Sequence, residues 1–396
     1  MDAKYNKTRK KVLFVIESLG CGGAEKSLVS LMSLLDWQKY ELYIWMIRTG
    51  GAFLSLLPHD IIVVEQPKYN ILESILYRLS AVIYSVARRL GNKLGKCKYW
   101  GETYYKCRGW AIKAPKGHWD IVFAYHQGLV TYIVADKFHD CKKVGWVNAD
   151  IFKTGYNIRY NSQFYRKFDC ICPVSDILHG LMDERMPEFS EKYLTVWDII
   201  NPHVTRELSK QPVPNLRTCS DECVIVTTGR LHVLKGYDMA VEAALFLKKN
   251  GLQFKWYFIG EGPERKNIEE MISSNGLQNT VVLLGMQTNP YPYMAQADVY
   301  VQTSRHEGFG MTIAEAKILG LPIVSTKFDV IYNQIEHEKN GLIAEMKGEK
   351  IGEQILRLVH DTQLRERIRN TVLMEENKTS QTEVKKIEAL IDRLTS

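Results

Sequence analysis

No run of apolar residues in this chain reaches the roughly 20 that a membrane-spanning helix needs. Near the start, Val12–Ile16 is apolar, but Gly20, Gly22 and Gly23 follow at once. The run therefore reads as a buried strand and not as a secretory leader, so the expected location is the cytoplasm. Eight cysteines lie at positions 21, 97, 107, 141, 170, 172, 219 and 223, yet no two have the C-x-x-C spacing and no histidine pair completes a ligand set. That pattern argues against a structural zinc site and for reduced, mostly buried thiols. The P-loop run G-x-x-x-x-G-K-[ST] is missing. The turn Gly20-Cys21-Gly22-Gly23-Ala24-Glu25 also falls short of the dinucleotide fingerprint, because Glu25 stands where the third glycine is required. Low-complexity tracts and internal repeats are absent.

What is present suits a globular protein of two domains. A chain of 396 residues is too long for one ordinary core, and two domains of about 200 residues are the natural division. The net charge of +7 is unevenly spread. Between Lys68 and His118 there are eleven Lys or Arg against two acids, Glu73 and Glu102. That local excess of nine exceeds the net charge of the whole chain, so the basic character belongs to one segment.

Hydrophobic periodicity gives an alternation of strands and helices. Strands are expected at Val12–Ile16, Glu41–Ile47, Ile61–Val64, Ile121–Ala124, Lys143–Val147 and Cys170–Val174, with Ser175 or Asp176 capping the next helix. Asn201-Pro202 and the polar stretch to about Asp221, with Pro212 and Pro214, read as an interdomain linker. The alternation then restarts with strands at Val224–Thr228, Lys255–Ile259, Val281–Leu284, Val299–Gln302 and Ile323–Ser325, each joined by a helical pattern. Such alternation implies parallel sheets covered on both faces.

The densest chemistry is Glu307-Gly-Phe-Gly-Met-Thr-Ile-Ala-Glu315. It bridges a Gly-rich turn into a helix directly after the strand Val299–Gln302, where open α/β sheets bind ligands. The N–H groups of Gly310, Met311 and Thr312 open that helix, and a helix start attracts phosphate. The competing reading is a plain capping box, with Glu315 folding back to Thr312. A second cluster, Gly229-Arg230-Leu-His-Val-Leu-Lys235-Gly236, leaves the end of Val224–Thr228. It offers a planar guanidinium and a point charge to a diphosphate, or else it is a solvated basic loop. Gly260-Glu261-Gly262 lies at a third strand end and permits close backbone approach.

Arg230 and Lys235, the Gly260-Glu261-Gly262 turn and the E-x7-E pair of Glu307 and Glu315, in this order and spacing, resemble family 4 of the retaining glycosyltransferases. Gly22-Gly23-Ala24-Glu25 is similar to that family's N-terminal loop. The likeness covers most of the chain and is densest from Thr228 to Glu345. It implies the α/β fold called GT-B, two facing Rossmann-like doubly wound parallel-sheet domains with a central cleft. The expected division is an acceptor domain, 1–202, a nucleotide-sugar donor domain, 203–379, and a final helix, 380–396, that crosses back onto the first domain in relatives.

The resemblance also implies roles. Arg230 and Lys235 would hold the donor diphosphate, Glu307 the transferred sugar and Glu315 the ribose. Gly262, Gly310, Met311 and Thr312 would complete the donor site, with Gly22 and Gly23 passing close to the phosphates. No metal and no cofactor is expected, in keeping with the absence of an Asp-x-Asp motif. Retention would come from front-face attack with the leaving phosphate as base, and UDP as the donor base rests on the resemblance alone. One departure stands out: many members carry a His where this chain has Asn148. Asn148 can hydrogen-bond a sugar hydroxyl but cannot become cationic. Asp150 is a candidate for orienting an acceptor hydroxyl and His126 a weaker substitute for the missing His; a loop cap and a structural His are the plainer readings. An epimerase of the same fold, or an inactive nucleotide-sugar or membrane-binding scaffold, are the alternatives to sugar transfer.

The basic segment, 68–118, carries apolar residues at near-helical spacing: Leu72, Ile75, Leu76, Leu79, Val82, Ile83, Val86 and Leu90. Lys93, Lys96, Lys98, Lys106 and Arg108 follow, interleaved with Tyr99, Trp100, Tyr104, Tyr105 and Trp110. Such a region suits an anionic membrane surface and a lipid-linked acceptor. An RNA-binding patch is not expected, and an apolar face packed on the core with solvated charges is the plain alternative.

Overall fold

The computed structural model describes residues 9–20, 22–93, 99–375 and 378–396. Cys21, Lys96, Cys97 and Lys98 lie outside the described residues. The chain divides into two compact units, residues 1–199 with 380–396, and residues 200–379.

In the first unit six strands form one sheet: β1 (Lys10–Ile16), β2 (Tyr40–Met46), β3 (Ile62–Val63), β4 (Ile121–Ala124), β5 (Lys142–Val147) and β6 (Cys170–Pro173). Their order is β3-β2-β1-β4-β5-β6, and every pairing is parallel. Val12 pairs with Leu42 on one side and Ile121 on the other. Both faces are covered, which is why β1 reads as an unbroken apolar run with Val12, Leu13, Phe14 and Val15 fully buried. Large rings fill the core, with Phe14 on Phe123 at 4.8 Å and Tyr125 on Trp146 at 4.4 Å between centroids.

The connections include α1 (Gly23–Leu34), α2 (Ile71–Lys93) and α3 (Trp100–Arg108). The C-terminal helix, Lys378–Thr395, belongs to this unit and buries Ile387 and Ile391 in its core. Glu388 Oε1 accepts from Asp36 N at 3.1 Å, Asp392 Oδ1 from Tyr40 Oη at 3.1 Å, and Glu383 Oε2 from Trp197 N at 3.0 Å.

The second unit repeats the plan with β7 (Cys223–Thr228), β8 (Phe254–Ile259), β9 (Val281–Gly285), β10 (Val299–Gln302), β11 (Ile323–Thr326) and β12 (Leu342–Ala344). The order is β12-β11-β10-β7-β8-β9, again parallel throughout. Numbered within its own unit, each sheet runs 3-2-1-4-5-6, the doubly wound order. The chain reverses direction between β1 and β4 in one sheet and between β7 and β10 in the other.

One expectation needs correction. The polar stretch after Ile200 is not a linker: it opens with helix α4 (Pro202–Ser209). Asn201 Oδ1 accepts from His203 N at 3.1 Å, and Pro202 at the first helical position has a preset φ and no N–H to waste. The residues beyond it are tied to their own unit, through Arg217 to Asp298 at 2.8 Å and Tyr257 Oη to the Leu216 carbonyl at 2.5 Å. β12 is not among the expected strands; it is three residues long and too short to show a period of its own.

Candidate functional site

Arg230 and Lys235 leave the end of β7, and Glu307 leaves the end of β10. These strands are neighbours at the point where the second sheet reverses, so residues 72 positions apart meet. Lys235 Nζ lies 2.5 Å from Glu307 Oε1. The same oxygen accepts from Ser304 Oγ at 2.6 Å and from Gln302 Nε2 at 2.8 Å. Three donors therefore fix one carboxylate oxygen, Oε1. Both side chains remain partly accessible, 25% for Lys235 and 11% for Glu307. Arg230 is exposed on the same loop and pairs with no acid among the described residues.

Helix α5 (Tyr237–Lys249) follows Lys235, and α6 (Met311–Ile318) follows Glu307. The N-cap of α6 is Gly310, in the left-handed region at φ 91°. The capping-box alternative is excluded, because no side chain caps this helix. Thr312 Oγ1 instead donates to Gln302 Oε1 at 2.9 Å. Glu315 is fully buried and accepts from Tyr291 Oη at 3.0 Å. The first-turn N–H groups of Met311 and Thr312 have no intrahelical partners and so stay available as donors.

Gly236 explains why Lys235 sits where it does. It is left-handed at φ 63°, and a Cβ there would lie 2.1 Å from the Thr303 carbonyl oxygen. Thr303 Oγ1 in turn donates to the Lys235 carbonyl at 2.9 Å. The β7 and β10 loops are thus stitched by a side chain to backbone, and Arg305 N donates to the Leu234 carbonyl at 2.8 Å. Arg305 adds a second stitch, pairing with Asp238 and donating from Nη1 to the Val233 carbonyl at 2.9 Å. The guanidinium holds the Asp238 carboxyl below its usual range. Sequence reading missed Gln302, Ser304 and Arg305; their polar types at a strand end were the available signal. Gly262 lies close against backbone: a Cβ on it would lie 2.2 Å from the Leu231 carbonyl oxygen.

The remaining candidates lie in the first unit. Gly22 caps α1 and Gly23 opens it, with the Glu25 carboxylate 2.2 Å from where a Gly22 Cβ would stand. Asn148 follows β5, where its N–H donates to Gln127 Oε1 at 2.9 Å and its side-chain amide to the Tyr125 carbonyl at 3.4 Å. Asp150 is buried and caps its own loop, accepting from Phe152 N at 2.9 Å and Lys153 N at 3.2 Å. His126, after β4, has Nδ1 3.0 Å from the Gln127 carbonyl oxygen. Glu17, unmarked in the sequence reading, lies at the end of β1. Burial raises its carboxyl above the usual range and Glu25 adds to the rise, against His126 and Arg48. Among the described residues no group of three or more His, Cys, Asp or Glu could hold a metal.

Residues 214–372 match the family model of glycosyl transferases group 1. That stretch is similar to the group 1 glycosyl transferases, and it spans the whole β7–β10 site. An uncharacterized glycosyltransferase of Methanocaldococcus jannaschii is 27% identical over 224 residues, 52% of this chain and 55% of that protein. The lipopolysaccharide core biosynthesis glycosyltransferase LpsE of Rhizobium meliloti is 30% identical over 154 residues, 39% of this chain and 44% of its own length. These matches span about half the length of the curated relatives. Among solved structures, Anabaena HepE in complex with UDP and glucose superposes with a TM-score of 0.71 at 18% identity, covering 97% of this chain and 100% of HepE. WaaG, a glycosyltransferase involved in lipopolysaccharide biosynthesis, gives 0.64 at 15%, covering 97% and 100%. The fold is GT-B.

Proposed function

We propose that this protein is a retaining glycosyltransferase that moves a sugar from a nucleotide diphosphate donor, a UDP-sugar, to a glycan or lipid-linked acceptor in cell-surface polysaccharide assembly. The observation that carries the reading is the pairing of Lys235 with Glu307 beside an uncommitted Arg230, at the reversal point of a doubly wound sheet. A diphosphate needs the two cations, and a sugar hydroxyl can donate to Glu307 Oε2. The Arg230 guanidinium grips phosphate oxygens in its plane, while Lys235 neutralises the charge that grows as the glycosidic bond breaks. First-turn N–H groups of α6 add donors on the same side. Glu315 holds Tyr291 and keeps that turn in register. Neither a metal nor a cofactor enters this scheme. HepE with UDP and glucose bound, and LpsE and WaaG with their lipopolysaccharide roles, support the donor and the setting. The protein acts at the inner face of the cytoplasmic membrane, where lipid-linked acceptors are found.

Thermal shift with UDP, GDP and ADP, each with and without EDTA, tests the reading. One nucleotide is expected to raise the midpoint, by about 2.7 kcal/mol of stability at a hundred times its dissociation constant, with EDTA changing nothing. No shift with any nucleotide at millimolar concentration would overturn it.

A further inference from the structure

Helix α2 is amphipathic, but it packs by its polar side. Tyr77, Ser80 and Tyr84 share one flank at helical spacing and meet the rest of the unit. The Tyr77 ring stands 5.1 Å from Tyr69 and 4.3 Å from the Arg108 guanidinium. Tyr84 lies edge-on to Tyr104 at 5.1 Å, and Ser80 is fully buried, accepting from Arg108 Nε at 3.3 Å. The apolar stripe faces out. Leu72, Ile75, Leu79, Val82, Val86 and Leu90 are each exposed, from 51% for Leu79 to 65% for Leu72. This overturns the plain reading in which the apolar face packs on the core. Leaving this much contiguous apolar surface in water is costly, and a patch of this kind marks a docking surface.

The charges decide what docks. Arg78, Arg88, Arg89 and Lys93 are exposed on α2, and none pairs with an acid among the described residues. The helix's one acid, Glu73, is already engaged by Lys113 at 2.5 Å. A second copy of the chain would bring its own four cations against these and leave them unneutralised. An anionic lipid surface takes the apolar stripe into its acyl boundary and the cations at its headgroups. The exposed indole of Trp110, 53% accessible in the same segment, suits the headgroup level. At 23 residues α2 is about 35 Å long. No described helix is long and apolar enough to cross a membrane, so α2 lies in the interface.

We propose that the outward face of α2 is the membrane-docking element, inserted in the plane of an anionic bilayer. This rests on the inner-membrane placement given above and assigns it to one helix face. The test is cosedimentation of the full chain with vesicles of phosphatidylcholine alone or with phosphatidylglycerol, needing no donor or acceptor. Wild-type protein is expected to bind anionic vesicles and to bind neutral ones weakly. L79E/V86E is expected to lose about a hundredfold in affinity, since two buried aliphatic side chains contribute that much. It should keep the wild-type unfolding midpoint, because both side chains are exposed. R78E/R88E/R89E should weaken binding to anionic vesicles only. If L79E/V86E binds as wild type does, α2 is not the element, although peripheral attachment stands. If wild type binds neither vesicle, both fall. A wild-type dimer that L79E/V86E turns into a monomer, without vesicle binding, assigns the face to a second copy and overturns the proposal. Nucleotide thermal shifts on the same samples report the donor site separately.

Discussion

The two units share one topology and differ in what they place at its reversal point. In the second unit, β7 and β10 deliver Arg230, Lys235 and Glu307, two cations and a carboxylate locked by three donors. In the first, β1 and β4 deliver Glu17 and His126, with Glu25 and Arg48 close by and Glu17 raised by burial. The scaffold chooses the location in both cases. The side chains choose the chemistry: two cations beside a carboxylate in the second unit, a carboxylate beside a histidine in the first. The units also differ in how they treat carboxylates. The first buries Asp198, with Ser27 beside it, and its carboxyl is pushed up to about 7. The second keeps Asp238 in the first turn of α5, partly exposed and paired with Arg305.

The largest effect should come from the cation in the second unit. Lys235→Ala is expected to lower kcat/KM for transfer by about 10²–10³-fold, in line with loss of one preorganised charge donor. Steady-state kinetics with the nucleotide sugar chosen by thermal shift would check it. A change under threefold would move the phosphate site elsewhere and break the contrast between the units.

The buried Asp198 comes next. A carboxyl raised in the folded state binds protons that the unfolded chain has released, so stability falls as pH rises from about 4 toward 7 and levels off above. At roughly 1.4 kcal/mol per pKa unit the drop is about 4 kcal/mol. Denaturant unfolding at pH 5 and pH 8 should show a smaller difference for Asp198→Asn than for wild type. An unchanged slope would assign the pH dependence to other groups.

Gly236→Ala tests the stitch that sets Lys235. A Cβ 2.1 Å from the Thr303 oxygen forces the β7 and β10 loops apart. The expected cost is about 1–3 kcal/mol of stability, with a weakened nucleotide thermal shift. The same substitution at Gly180, in the first unit, has open space around its Cβ and should lose no stability.

The smallest effect is the exposed pair. Asp238→Asn should cost under about 1 kcal/mol, since solvent screens a half-exposed ion pair. Because that carboxyl is held low, the wild-type contribution is present above its unfolded value and fades as pH falls. Unfolding at low and at neutral pH would resolve it, and a cost of several kcal/mol would make the Arg305 stitch a larger contributor than its exposure implies.

Much of this molecule is written in local patterns. Buried parallel strands are apolar runs bounded by glycine or by polar turns, so β1, β4, β7 and β10 stand out with little ambiguity. Ser175 caps its helix as its type and place suggest, accepting from Leu178 N at 3.2 Å. The chemistry of the β7–β10 site is legible too, because charged residues beside glycine at strand ends have few structural reasons to be there. The sequence reading failed where two segments must meet before either has meaning. Gly262 has the spacing of a ligand turn, but its close approach to the Leu231 carbonyl shows only once β7 and β8 lie side by side. Thr312 and Glu315 spell a capping box, but Gln302 and Tyr291 claim them first.

Sequence alone determined the alternation of elements, the two-unit division of the chemistry and the identity of the cations and carboxylates, because these depend on side-chain type and short-range period. Tertiary structure alone decided which of those groups touch, and which way α2 faces. Periodicity reports that an apolar stripe exists, but only packing of the opposite flank, by Tyr77, Ser80 and Tyr84, reveals that the stripe is turned outward.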